Sequence, residues 1–251
     1  MLAFIRIALA ALAMLAAAAP ASAAATSAQK EEIGKLVREY LLANPEVLEE
    51  AITELRKRRD EEASIAQTKA IEDNSDLIFG SDNQVVLGNP EGSITLVEFF
   101  DYNCTYCRRA VSDMTALIDA NPDLRVVLKE FPILAEGSIE AARIAVAVKD
   151  LAPQSYLQFH TEMFSRPGQA DEEKALEVAR DIGLDGDALK DASTGSDVTA
   201  NLQEVRDLAT ALGITGTPSY VLGRELFPGA VGFDTLQKRV AAIRDCGVTL
   251  C

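Results

Sequence analysis

The stretch FDYNCTYCRR, Phe100–Arg109, decides how this chain is read. It follows SITLVEFF (93–100), a nearly continuous apolar run of the kind that forms a strand buried on both faces. Asp101-Tyr102-Asn103 ends that run. From Cys104 the pattern changes period: Cys107, Ala110, Val111, Met114, Leu117 and Ile118 share one helical face. A strand therefore hands over to a helix at a pair of cysteines three apart. Such a pair is a redox centre, half of a metal site, or a structural disulfide.

Position separates the two sulfurs chemically. A helix N-terminus offers unpaired N–H groups and the positive end of the helix dipole. Both stabilise a thiolate, so Cys104 is the expected nucleophile. Cys107 lies a turn further in, on the apolar face, and is expected to be less exposed and to resolve mixed disulfides. Glu98, among Val97, Phe99 and Phe100, reads as a buried acid able to take the proton of Cys107. Lys129, on the next apolar run, could pair with it; the plain alternative for both is a core ion pair. Zinc usually takes four ligands. The other sulfur and imidazole groups are Cys246, Cys251, His160 and the methionines. His160 shares a helix face with Tyr156, Phe159, Met163 and Phe164 and reads as a core or interface histidine. No metal site is assigned, though two-coordinate copper(I) on the two thiolates remains a reading of another class.

Working outward, QVVLG (84–88) and LRVVLKEF (124–131) read as further strands. Four helical segments are expected at about 137–150, 153–165, 171–183 and 197–212. GTPSYVLG then gives a short strand after a proline, followed by a turn and a last helix in FDTLQKRVAAIR. Strand, strand-CxxC-helix, strand, helical block, strand, helix is the order of an α/β thioredoxin-like domain. It is expected over 84–246, with a helical insertion at about 137–212 and a tail at 247–251. CGVTLC (246–251) reads as a local disulfide or a mobile pair, with a relay to the active site as the alternative.

The first residues, MLAFIRIALAALAMLAAAAPASA, have the layout of a secretory signal peptide: Arg6, an apolar run, and a small-x-small site at Ala21–Ala23. Cleavage near Ala23 would place the mature chain in an oxidising compartment. Twenty-four Lys+Arg against 39 Asp+Glu give a formal net charge of −15, which argues against nucleic acid as a partner. Between leader and domain, residues 24–73 read as a helical extension, with helices at about 30–43 and 45–72 broken at Asn44-Pro45. Val47, Leu48, Ala51, Ile52 and Leu55 make an apolar stripe on the second. That helix would be about 40 Å long. The stripe either packs on its own domain or forms an oligomerisation surface. NSDLIFGSDN (74–83) has linker composition.

VEFFDYNCTYC and GITGTPSYVLG together resemble the DsbA-type thioredoxin-fold family over about 84–246. The resemblance implies exchange of protein disulfides without a cofactor and a cis-proline at Pro218 beside the cysteines. It also implies backbone hydrogen bonds from Thr217 to a bound peptide. The dipeptide Thr105-Tyr106 departs from the Pro-His of strongly oxidising members, which implies weaker thiolate stabilisation. A tyrosine before the second cysteine and a threonine before the proline resemble the isomerase DsbC. VREYLLANPEVLEEAI is similar to the helical extension of the ScsC-like branch, whose members can oligomerise through it. The expectation is a periplasmic homo-oligomer acting on cysteine-bearing proteins as an isomerase or reductase, with an unknown membrane redox partner. A monomeric DsbA-like oxidase and a copper or chaperone module are the alternatives.

Overall fold

The computed structural model describes residues 26–80 and 83–251; the expected leader at 1–23 lies outside the described residues. The chain divides into two units, Met1–Asp60 and Glu61–Cys251. In the first, α1 spans Ser27–Ala43 and opens on a capping box between Thr26 and Gln29. Asn44-Pro45 interrupts it, as expected from sequence, and α2 runs Glu46–Asp73. No residue of α1 is buried. Ile33, Leu36, Val37 and Tyr40 on α1, and Leu48, Ile52 and Leu55 on α2, stand about half exposed. No described helix is long and apolar enough to cross a membrane.

The second unit starts earlier than the sequence implies. The last turns of α2 already carry a buried residue, Ile71. The expected linker at 74–83 contains a short helix, α3 (Ser75–Phe79), with Ile78 fully buried. Ile78, with Phe79 packed against the same cluster, supplies the apolar side chains that tie it down. Arg125 and Lys129 reach across to the carbonyl oxygens of Phe79 and Leu77, at 2.6 and 2.8 Å. These contacts satisfy orphan carbonyls of a helix too short to bond them itself.

The five-stranded sheet has the order β1-β3-β2-β4-β5. Its strands are β1 (Val85–Gly88), β2 (Ile94–Phe100), β3 (Leu124–Glu130), β4 (Ser219–Leu222) and β5 (Glu225–Pro228). β2 and β3 are parallel and joined by the CxxC helix α4 (Thr105–Ala120); the other pairings are antiparallel. Alternation along the strands divides the core. Ile94, Leu96, Phe100, Leu124, Val126, Leu128, Tyr220 and Leu222 point to one face, with the buried side of α4. Val97, Phe99, Val127 and Val221 point to the other, with Ile71 and Ile78.

Between β3 and β4 lies the helical insertion. It comprises α5 (Glu136–Leu151), a 3-10 turn (Pro153–Ser155), α6 (Tyr156–Ser165), α7 (Glu172–Asp181), α8 (Gly186–Ser193) and α9 (Ser196–Ala211). The sequence pattern implies four helices here and passes over α8, although Asp185 caps it by accepting from the N–H groups of Asp187 and Ala188. Eight residues are too few for a clear apolar period. The turn expected after β4 is a hairpin into β5, made at Gly223 with φ +58°. β5 is a four-residue edge strand ending in Pro228, which a ladder tolerates only at an edge. α10 (Phe233–Cys246) closes the unit.

Candidate active site

Cys104 is the N-cap of α4, and its sulfur accepts the N–H of Cys107 at 3.3 Å. Its own N–H is held by the Asp101 carbonyl at 3.0 Å, so the turn 101–104 aims the sulfur at the helix start. The Cys104 thiol donates to the carbonyl oxygen of Thr217 at 3.2 Å. Both cysteines are free and buried, Cys107 more completely, as its place on the apolar face implies.

The surroundings push the two thiols apart. Hydrogen bonding from Cys107 is the main influence on Cys104 and, with help from Thr217 and the backbone of Tyr106, brings its pKa down to about 6 against an opposing burial effect. Thr217 Oγ1 is buried and has no hydrogen-bond partner. It is available to donate once a thiolate forms. Cys107 goes strongly the other way: burial raises it, and hydrogen bonding to Cys104 and the charge of Glu98 add to this.

The Thr217–Pro218 peptide bond is cis. The loop is fixed by Ser219 Oγ donating to the Gly216 carbonyl and Gly229 N–H donating to that of Pro218, each at 2.7 Å. Of the dipeptide between the cysteines, Thr105 is exposed, and Tyr106 is 57% exposed with the Arg109 guanidinium 4.6 Å above its ring.

Glu98 is buried on the CxxC face of the sheet, opposite Tyr220 in register, and accepts its hydroxyl at 3.5 Å. Burial raises its pKa to about 8. The expected Glu98–Lys129 pair does not form. Lys129 is the register partner of Phe99, not Glu98, so its side chain leaves by the opposite face. There it donates to the Leu77 carbonyl, and burial lowers its pKa to about 8. Lys129 therefore supports α3 rather than the cysteines.

His160 lies in a buried aromatic cluster with Phe100, Tyr102, Tyr156 and Phe164. Burial lowers its pKa to about 3, and Nδ1 is 3.3 Å from the Tyr102 hydroxyl. Among the described residues, no group of three or more His, Cys, Asp or Glu side chains is arranged to hold a metal ion. Cys246 and Cys251 form a disulfide. It follows Arg244, which binds Asn121 and Asp123 just past the C-terminal end of α4. Cys104 is at the other end of that helix, about 24 Å away for 16 residues.

The sequence reading passes over Asp101 and Tyr220. By pattern Asp101 only ends a strand, yet its buried carboxylate accepts four hydrogen bonds. An acid between an apolar strand and a cysteine is the available signal. Tyr220 carries none, because its partner Glu98 is 122 residues away.

Residues 95–241 match the model of the DSBA-like thioredoxin domain, and residues 29–62 match that of the copper resistance protein ScsC N-terminal domain. Among solved structures, a thioredoxin-like oxidoreductase from Silicibacter pomeroyi DSS-3 is 44% identical with a TM-score of 0.65, covering 68% of this chain and 98% of that one. A linker-deletion mutant of Proteus mirabilis ScsC is 29% identical with a TM-score of 0.66, covering 88% and 99%. The thiol:disulfide interchange protein DsbA of Bordetella pertussis is 28% identical over 138 residues, 53% of this chain and 64% of the relative. Coverage of curated relatives falls to 22% for the Na(+)/H(+) antiporter NhaA of Herminiimonas arsenicoxydans, 30% identical over 146 residues. With the family model spanning the strand before the cysteines, the inserted helices and most of the last helix, the chain belongs to the DSBA-like thioredoxin domain family.

Proposed function

We propose that this protein is a periplasmic thiol-disulfide oxidoreductase that acts on protein disulfides through Cys104 and Cys107, as an isomerase or reductase. The observation that carries the reading is the opposed tuning of the two thiols. Cys104, lowered to about 6, is mostly thiolate at neutral pH. It attacks a substrate disulfide, joining one substrate sulfur to Cys104 and releasing the other as thiolate. Cys107 then attacks Cys104, forming the 104–107 disulfide and releasing the second substrate sulfur; in isomerisation, another substrate thiolate displaces Cys104 instead. Glu98, in the fraction that is ionised with its pKa raised to about 8, accepts the Cys107 proton during resolution, and Thr217 with cis-Pro218 presents backbone groups to the substrate strand.

The isomerase or reductase assignment rests on Thr105-Tyr106 and on the half-exposed apolar residues of α1 and the first part of α2. Exposed apolar surface of this extent fits a homo-oligomer whose neighbouring sites hold a misfolded substrate. An oxidising compartment agrees with the signal-peptide pattern and with the Cys246–Cys251 disulfide. The test compares activity on reduced and on scrambled ribonuclease, with the mass of the same sample measured by light scattering. A monomer active only on reduced ribonuclease moves the reading to a DsbA-like oxidase. The match of 29–62 to a domain described for a copper resistance protein favours a second reading, copper(I) held by both thiolates. Copper(I) titration of the full chain against a Cys104→Ser, Cys107→Ser variant tests it.

A further inference from the structure

Cys104 closes a β-turn. Its N–H donates to the Asp101 carbonyl at 3.0 Å, so Tyr102 and Asn103 are the central residues of the turn. Connecting segments usually run over the surface. Here the helical insertion holds both central residues. Tyr102 is buried, its ring against Phe159, His160 and Phe164 of α6. Asn103 is half-buried, and both polar atoms of its side chain are engaged. Oδ1 accepts the Ala170 N–H at 2.7 Å. Nδ2 donates to the Ala170 carbonyl and to the Ser138 hydroxyl oxygen, both at 2.9 Å.

These bonds close into a ring. Ser138 Oγ, which accepts from Asn103, donates to Asp101 Oδ1 at 2.7 Å, and the same oxygen accepts the Asn103 N–H at 2.7 Å. Ala170 and Ser138 are themselves buried. The start of α5 packs so closely here that a Cβ on Gly137 would lie 2.6 Å from the Ala170 carbonyl oxygen. The ring is therefore seated on a tightly packed part of the insertion, and one peptide bond separates it from Cys104. None of the Asn103 side-chain hydrogen bonds goes to either sulfur. What the amide fixes is the path of the backbone into the N-cap of α4, where Cys104 is extended with φ −81° and ψ 116°. Hydrogen bonds weaken steeply as alignment is lost, so that path decides how well the Cys104 sulfur meets the Cys107 N–H.

We propose that Asn103 is a positioning residue for disulfide exchange: its amide clamps the turn 101–104 to Ala170 and Ser138 of the helical insertion and so holds the Cys104 sulfur in line with the N–H groups that open α4. The inference rests on the reading of Cys104–Cys107 as an exchange centre and names what aims its nucleophile. It also gives the insertion a share in the chemistry, although no residue of the insertion bonds to a sulfur through this ring. An amide that merely joined the insertion to the sheet would, on removal, lower stability and leave the sulfur as it was.

The test follows iodoacetamide alkylation of Cys104 against pH in the full chain, with urea midpoints on the same samples. Asn103→Ala should react about fivefold more slowly at pH 6 and at nearly the same rate at pH 9, the effect of weakening a hydrogen bond to the thiolate. Ser138→Ala, which removes the hydroxyl linking Asn103 to Asp101, should move the curve the same way by less. Lys129→Met is the control for lost stability, since it gives up a hydrogen bond on the opposite face of the sheet. An Asn103→Ala curve that superimposes on that of the unaltered chain, or a Lys129→Met curve displaced as far, overturns the positioning role. If Asn103→Ala does not fold, Ser138→Ala decides alone, and an unmoved curve overturns the role. Reduction of the small disulfide of 5-thio-2-nitrobenzoate by the reduced, unaltered chain is measured in parallel. Failure there is a separate outcome: it overturns the exchange centre itself, and the positioning role with it.

Discussion

The sulfur of Cys104 lies 3.2 Å from the carbonyl oxygen of Thr217, a residue 113 positions later in the chain. The contact suits a thiol, which donates, and opposes a thiolate, which cannot. The buried, unpartnered hydroxyl of the same threonine is the complementary donor. Thr217 therefore serves both protonation states of the nucleophile, with its main chain in one and its side chain in the other.

Removing that hydroxyl should raise the Cys104 pKa. For Thr217→Val the expected change is about one unit, the scale of a hydrogen bond to a charged group. The rate of iodoacetamide alkylation against pH measures it. In the unaltered chain the rate should reach half its plateau near pH 6, set by the lowered Cys104 pKa. An unshifted curve in the variant would show that Thr217 Oγ1 does not reach the thiolate.

Cys104 and Cys107 should behave unequally. Cys104→Ser is expected to abolish exchange, and Cys107→Ser to trap mixed disulfides visible on a non-reducing gel. Equal alkylation rates for the two thiols at neutral pH would contradict the strong rise of Cys107 caused by its burial.

Glu98→Gln keeps a partner for Tyr220 and removes the proton acceptor. Resolution by Cys107 should slow about tenfold or more, the lower range of general-base effects, with mixed disulfide accumulating. Stability should change in the opposite direction. Glu98 is raised by burial to about 8, so its ionisation costs the folded state increasingly as pH climbs from the ordinary carboxylate range towards 8. The glutamine variant should therefore gain stability over the unaltered chain at pH 9, on the order of a few kcal/mol, and little at pH 4. Urea midpoints at the two pH values decide this.

Lys129→Met should leave the alkylation curve of Cys104 unmoved, because the lysine lies on the other face of the sheet. It should lower stability by about 1–3 kcal/mol through the Leu77 carbonyl left without its donor. A shifted curve would mean that the two faces communicate.

The structure also places the truncation that tests oligomerisation. Ile71 and Ile78 belong to the core of the second unit, so a deletion of 24–73 would damage the domain. Deleting 24–60 should give a folded monomer that oxidises a dithiol peptide and has lost most isomerase activity. Truncation after Arg244, by contrast, should leave exchange within about twofold, because Arg244 binds residues past the C-terminal end of α4 while Cys104 caps its N-terminus. Light scattering with the two assays checks both.

Much of this site could be read from sequence because its signals are local. The strand-to-helix change of period located Cys104 at a helix start, and the apolar face of that helix put Cys107 beneath the surface. Asn44-Pro45 marked the break between α1 and α2 for the same reason: a proline's geometry acts on its immediate neighbours. What only the tertiary structure decided involves residues far apart in the chain. The register of β2 against β3 sent Glu98 and Lys129 to opposite faces, since a shift of one residue reverses every side chain of a strand. Composition made 74–83 a linker, and only the apolar face awaiting Ile78 anchored the short helix Ser75–Phe79 in the core. The four bonds of Asp101 gather groups from residues 103, 133, 134 and 138, an arrangement that local pattern does not encode. The sequence by itself determined where the reactive sulfurs begin their helix; their chemical environment was decided by groups that folding brings from more than a hundred residues away, Thr217 and Tyr220 among them.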